Sequence, residues 1–199
     1  MHPVLSIRLL GDFNVQYGEA PVTTVHTGRL RALLAYLLLH ADSPHPRQHL
    51  AFQLWPDAPE SNARNNLRQL LFQLRLALPD ADQFLTINPH SVGWRRDDAQ
   101  AVDVHRLQFA LNEAHTAEQA TDPPAVRRWL EEAVAQYSGE LLPECYDDWI
   151  RLDRERLHDL VRTAQRKLLH LLDDSQDYEA ALDIARGMLR LDPLDEEAY

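Results

Sequence analysis

Asp57-Ala58-Pro59-Glu60-Ser61-Asn62-Ala63-Arg64-Asn65-Asn66-Leu67-Arg68-Gln69-Leu70-Leu71-Phe72-Gln73-Leu74-Arg75-Leu76-Ala77-Leu78 decides the reading of the chain. Asp57 and Glu60 stand three apart, as in a capping box, and Pro59 suits a first helical turn. Ala63, Leu67, Leu70, Leu71, Leu74 and Leu78 then recur at intervals of three and four, the spacing of one helical face. The spacing predicts a helix over 59–78. Its opposite face carries Ser61, Asn62, Asn65, Arg68, Gln69, Phe72 and Leu76, with Arg64 and Arg75 on the flanks. Asn, Gln and Arg match adenine and guanine edges in the major groove, and they are equally the residues of a solvated helix face. The neighbouring elements decide between the two.

Upstream, Leu5–Leu9 and Phe13–Tyr17 alternate on either side of Gly11-Asp12, which predicts a β-hairpin, with Val22-Thr23-Thr24 as a short third strand. Thr27 is placed to cap a helix over 28–40 with Leu30, Leu33, Leu34, Leu37 and Leu38 as its core stripe. Ser43-Pro44-His45-Pro46 breaks the chain, and a short helix over 47–54 ends at Trp55-Pro56. Downstream of the long helix, Phe84–Asn88 and Val92–Arg96 flank the turn Pro89-His90-Ser91 as a second hairpin. A short helix feeding a long polar-faced one is helix-turn-helix order, and the trailing hairpin, ending at Arg95 and Arg96, is placed as a wing.

These residues resemble the OmpR-type winged helix, in particular the DNA-binding domain of the bacterial antibiotic-regulatory activators, the SARP family. The text that carries the resemblance is Leu9-Leu10-Gly11-Asp12-Phe13-Asn14-Val15, Arg29–Leu38, Arg47-Gln48-His49-Leu50 leading to Leu54-Trp55-Pro56-Asp57, and Ala63-Arg64-Asn65-Asn66-Leu67 leading to Leu74-Arg75. Pro46 stands where the family usually has a capping Ser, and Gly93-Trp94-Arg95-Arg96 departs from the family's Gly-Tyr-Arg-Leu wing ending. Gly139-Glu140-Leu141-Leu142-Pro143, Tyr146-Asp147-Asp148-Trp149 and Arg154-Glu155-Arg156-Leu157 resemble the bacterial transcriptional activation domain that follows the winged helix in the same family.

The expected fold is an α+β winged helix-turn-helix domain over 1–98, then an all-α, tetratricopeptide-like domain over 103–199. Composition shifts to short polar and acidic residues around Asp97–Asp103. Helices are expected at 104–115 and 123–137, along a long stripe from Trp149 to Leu172, and at 178–191, stopped by Asp192-Pro193. Asp177-Tyr178, Ala181, Ala185, Leu189 and Asp192-Pro193 fit the second half of a tetratricopeptide repeat. A further helix beginning near Glu196–Tyr199 suggests a piece of a longer protein.

With 199 residues, 45% of them hydrophobic, and four Trp, the chain has the makings of folded domains. Its longest apolar run, Ala32–Leu39, is far too short to span a membrane, no signal peptide is read at the N-terminus, and the single Cys145 fits a reducing cytoplasm. Residues 1–100 hold nine Arg, no Lys and nine Asp plus Glu, so the net charge of −11 lies wholly in the second half. A neutral winged helix is a poor non-specific DNA binder, because duplex affinity comes largely from phosphate contacts. Phosphate-loop, dinucleotide and nucleophile-elbow motifs do not occur in the sequence. His40, His45 and His49 are spaced for a metal or lie at helix ends. Glu144 with Asp147-Asp148 reads as a cation or acid/base site, or as acidic residues at a helix start.

The function expected is a cytoplasmic, sequence-specific DNA-binding regulator, with no enzymatic role, no cofactor and no metal. Asn62, Asn65, Arg68, Gln69 and Phe72 are the base-contacting candidates; Phe72 alternatively packs on the wing or the short helix. Arg29, Arg47, Arg64, Arg75, Arg95 and Arg96 are the phosphate-contacting candidates. Promoter DNA with repeated half-sites, a sister copy on that DNA, and RNA polymerase are the partners implied. The other reading is a protein–protein adaptor whose winged helix no longer binds DNA.

Overall fold

In the computed structural model, residues 3–96 and 99–191 are described. The expected stop at Asp192-Pro193, the helix from Glu196 and the acidic pair Asp97-Asp98 lie outside them. The chain divides by its contacts into two compact units. The first comprises the chain up to Leu9, Phe13–Val102 and Pro143–Ile150; the second comprises Leu10–Asp12, Asp103–Leu142 and the chain from Arg151.

The first unit is mixed α/β. Strands β1 (Leu5–Arg8) and β2 (Asn14–Tyr17) pair antiparallel with Leu5 opposite Tyr17. Leu5, Ile7 and Val15 point into the core while Ser6 and Arg8 do not, the period of two expected of a half-buried sheet. The third strand is β3 (Ala20–Pro21), earlier than Val22–Thr24. Val22 keeps one bond to the Val15 carbonyl, after which the Thr24 hydroxyl donates to the Ala77 carbonyl at 2.6 Å, and the chain leaves the sheet.

Helix α1 (Gly28–Leu39) is capped by Thr27, whose hydroxyl accepts from the Leu30 amide at 3.3 Å. From Leu30 to Leu38 only Arg31 is not buried, so this helix forms the centre of the unit. Strand β4 (His45–Pro46) leads into α2 (Arg47–Leu54), which Pro46 starts without a side-chain cap. Helix α3 (Glu60–Ala77) buries Ala63, Leu67, Leu70, Leu71 and Leu74, and the single turn α4 (Ala81–Phe84) follows it. Strands β5 (Leu85–Ile87) and β6 (Ser91–Trp94) form the second hairpin, with Leu85 opposite Trp94 and β4 added beyond β6. Phe84 stacks on Trp94 with ring centroids 5.8 Å apart, which anchors the hairpin base.

Strand β7 (Gln100–Val102) pairs parallel with β1, giving the sheet order β3-β2-β1-β7. Residues at the expected domain boundary are therefore an edge strand.

The second unit is built from helices α5 (Asp103–Gln119), α6 (Pro123–Gln136), α7 (Trp149–Asp174) and α8 (Tyr178–Leu191), with Trp149 and Ile150 of α7 counted in the first unit. Ala114, Ala117, Val126, Leu130, Ala164, Leu168 and Leu172 form one buried cluster. The turns α5–α6 and α7–α8 are the same device twice. Thr121 and Gln176 take left-handed backbone, at φ 56° and 59°. The next residues, Asp122 and Asp177, donate their amides back to the Ala117 and Leu172 carbonyls. Their carboxylates then cap the following helix at the Ala125 and Ala180 amides. Two helical hairpins of one design are what a tetratricopeptide-like domain requires.

Also in this unit, Gly11 has φ +76°, and a Cβ on Gly139 would lie 3.0 Å from the Gly11 Cα, so glycine at both positions permits the close backbone approach. The Gly11 amide donates to the Glu140 carbonyl, and buried Asp103 accepts from the Leu10 and Val104 amides. No helix of the described residues is long and apolar enough to cross a membrane.

Candidate nucleic-acid interface

The leucine stripe of α3 fixes the rotation of the helix, and the polar face follows from it. Asn62, Asn65, Arg68, Gln69 and Phe72 are all exposed and follow one another along the side opposite Leu67, Leu70, Leu71 and Leu74. Asn65 Oδ1 accepts from Arg68 Nη2 at 2.9 Å, one turn apart, which fixes the guanidinium beside the Asn65 amide on the exposed face. Phe72 is 64% exposed and Leu76 71% exposed, so neither the second hairpin nor α2 covers them. The packing alternative for Phe72 is not what the fold adopts.

The start of the helix differs from its sequence reading. The cap position is Pro59, with no side-chain cap, so the Asp57/Glu60 box does not form. Glu60 instead accepts from Gln48 Nε2 at 2.8 Å and pairs with Arg64. These bonds tie α2 to the first turn of α3. Beside them, Phe52, Trp55, Ala63, Glu60 and Arg64 line part of a groove of about 580 Å³ between the two helices.

The six phosphate candidates separate into two groups. Arg29, Arg64, Arg75 and Arg96 each hold a carboxylate, from Asp147, Glu60, Asp82 and Asp42 respectively. The last three pairs join exposed partners, and such a pair contributes at most about 1 kcal/mol, little enough for a phosphate to displace. Arg47 and Arg95 bond backbone carbonyls, those of Asn88 and Asp82. The Arg47 amide also donates to the His90 carbonyl at 2.9 Å, so the first residue of α2 is fixed to the turn of the second hairpin. Among the described residues, neither of those two arginines is paired with a carboxylate.

Arg29 has a stronger attachment than its surface neighbours. Its Nη1 donates to both oxygens of Asp147, at 2.8 and 2.7 Å, and its guanidinium lies 5.8 Å over the Trp55 ring. Arg31 donates to Glu144 at 2.9 Å and lies 5.1 Å over Phe13. Asp147-Asp148 stand directly before the first residue of α7, as helix-start acids do, and Asp147 and Glu144 in addition hold arginines of α1. Only their position beside Tyr146 and Trp149 in an acidic, aromatic block hinted at such a role.

The three histidines gather around Tyr36. Ring centroids of His40, His45 and His49 lie 4.6, 5.2 and 6.4 Å from that of Tyr36, and Trp149 meets the same ring edge-on at 5.1 Å. Burial pushes the His45 imidazole below its usual pKa, partly offset by the bond its Nε2 gives the His40 carbonyl. Among the described residues, no three ligating side chains converge as a metal would need.

Comparison with known proteins adds two findings. Residues 102–199 match the family described as bacterial transcriptional activator domain. Among solved structures, the chain is similar to Mycobacterium tuberculosis EmbR in complex with low affinity phosphopeptide, with a TM-score of 0.81 at 20% identity. That likeness covers 99% of this chain and 53% of the other, so this chain spans about half the length of its structural neighbour. At such identity the likeness is one of fold. No curated protein sequence matches the chain.

Proposed function

Because residues 102–199 match the bacterial transcriptional activator domain family, we propose that the chain is a sequence-specific DNA-binding regulator of the SARP type. Its first unit acts as a winged helix-turn-helix, with α3 in the major groove and the β5–β6 hairpin as the wing. Asn62, Asn65, Arg68 and Gln69 read base edges, and Phe72 meets a thymine methyl or a sugar. Arg47 at the start of α2 and Arg95 at the end of the wing hold phosphates; Arg64, Arg75 and Arg96 join them by exchanging weak carboxylate partners. The helical unit contacts RNA polymerase or a sister copy, in the cytoplasm.

The observation that carries this reading is the exposed face of α3: amides, a pre-oriented guanidinium and an uncovered aromatic on one side of a helix whose other side is wholly anchored. The neutral charge of residues 1–100 leaves a single copy with weak affinity, so we expect copies side by side on repeated half-sites. The same neutrality favours the adaptor as the second reading.

Selection of bound duplexes from a random pool separates the two. A regulator enriches a repeated motif, and Arg68→Ala costs about 1–3 kcal/mol on it while relaxing one base position. A pool that stays random after selection, or an Arg68→Ala protein with the same preference and affinity, contradicts the assignment.

A further inference from the structure

We infer that Asp147 and Glu144 form a carboxylate clasp that occupies Arg29 and Arg31 in place of DNA phosphates, so that opening the clasp strengthens DNA binding. The inference rests on the DNA-binding reading above and adds its regulation.

A guanidinium donates to the oxygens of a carboxylate or of a phosphate alike, so one can stand in for the other. Asp147 presents both its oxygens to Arg29 Nη1, and its side chain is the less exposed partner, 23% against 44%. It is also held in place from its own side. Trp149 Nε1 donates to its carboxylate at 3.4 Å, the Ile150 amide donates to its carbonyl at 3.3 Å, and the Trp149 ring sits against Tyr36.

The location gives the clasp its consequence. Arg29 stacks over Trp55, and Trp55 lines the same groove as Glu60 and Arg64 of the first turn of α3. In a helix-turn-helix the N-terminal residues of the second helix meet the bases, so backbone phosphates pass close to that turn. An Arg29 released from Asp147 is placed to reach them.

The segment that carries the clasp is largely open to solvent. Tyr146 is 89% exposed, Pro143, Glu144 and Asp148 are exposed, and the segment has no regular structure before Trp149. Glu144 satisfies Arg31 only in part, since the buried Arg31 Nε has no acceptor among the described residues. Glu144, Asp147 and Asp148 also turn the first unit, whose other residues hold nine Arg against eight Asp plus Glu, net negative, so opening removes a repulsive field and frees two cations together.

The test uses the intact chain and its Asp147→Asn, Glu144→Gln double variant, which keeps the shape and removes the charge. Binding to a random-sequence duplex is titrated with salt. The variant is expected to bind about three- to tenfold tighter, with a salt slope steeper by about one to two units. Adding Arg29→Gln and Arg31→Gln should abolish both gains. Equal or weaker binding by the variant, with the wild-type protein binding DNA as proposed, overturns the clasp and leaves the function standing. Absence of binding by both proteins overturns function and clasp together. If the double variant does not fold, Glu144→Gln alone tests the same point at an exposed residue. About twofold tighter binding, lost with Arg31→Gln, is then expected, and no change overturns it.

Discussion

His45 shows how one side chain carries two assignments that its spacing alone could not separate. His40, His45 and His49 have the intervals of a ligand set, but in the fold they are ring neighbours of Tyr36. Burial holds the His45 imidazole below its usual pKa, the bond to the His40 carbonyl works against this, and the nearby His40 and His49 add to the lowering. The unfolded chain therefore takes up this proton first as the pH falls through about 6.5. The contribution to stability is complete above that value and is lost between it and the lower folded pKa. The thermal midpoint should drop between about pH 7.5 and 5.5, and His45→Gln should flatten that part of the profile. A variant with the same decline as wild type would place the acid sensitivity elsewhere.

Among elements, α3 was the most legible, and the reasons are local. Leucines at intervals of three and four fix both the helix and its rotation within eighteen residues, whatever packs on it. Leu67 sits mid-stripe with no exposure, and Leu67→Ala should cost about 2–5 kcal/mol, read as a fall in denaturation midpoint at unchanged slope. A cost below about 1 kcal/mol would mean the stripe is not the core it is described as.

The short elements were not legible. His45–Pro46 is a strand because Ser91–Val92 lies beside it, and Gln100–Val102 because β1 does. Strands of two or three residues carry no period of their own. The capping box failed for a related reason: Glu60 had better partners in Gln48 and Arg64 than the amides of its own turn. The partner of Arg29 lies 118 residues along the chain, and no spacing rule reaches that far. The exposed face of the candidate site could be read from sequence, whereas the state of its cations could not.

At the scale of the molecule, charge is the quantity that distinguishes the accounts. Arginines and carboxylates balance over residues 1–100, and the surplus of −11 belongs to residues 101–199. Four of the six arginines proposed for phosphates already hold carboxylates. Arg47 and Arg95, which bond backbone carbonyls, can take phosphates directly, whereas these four contribute only if phosphates displace their carboxylates. The most direct measurement is therefore the affinity of the intact chain for a selected duplex and for a scrambled one, across a series of salt concentrations. The logarithm of affinity should fall linearly with the logarithm of salt, by about 0.9 for each phosphate neutralised, with the selected duplex tighter throughout. A flat response, identical for the two duplexes, would contradict it and pass the case to the adaptor.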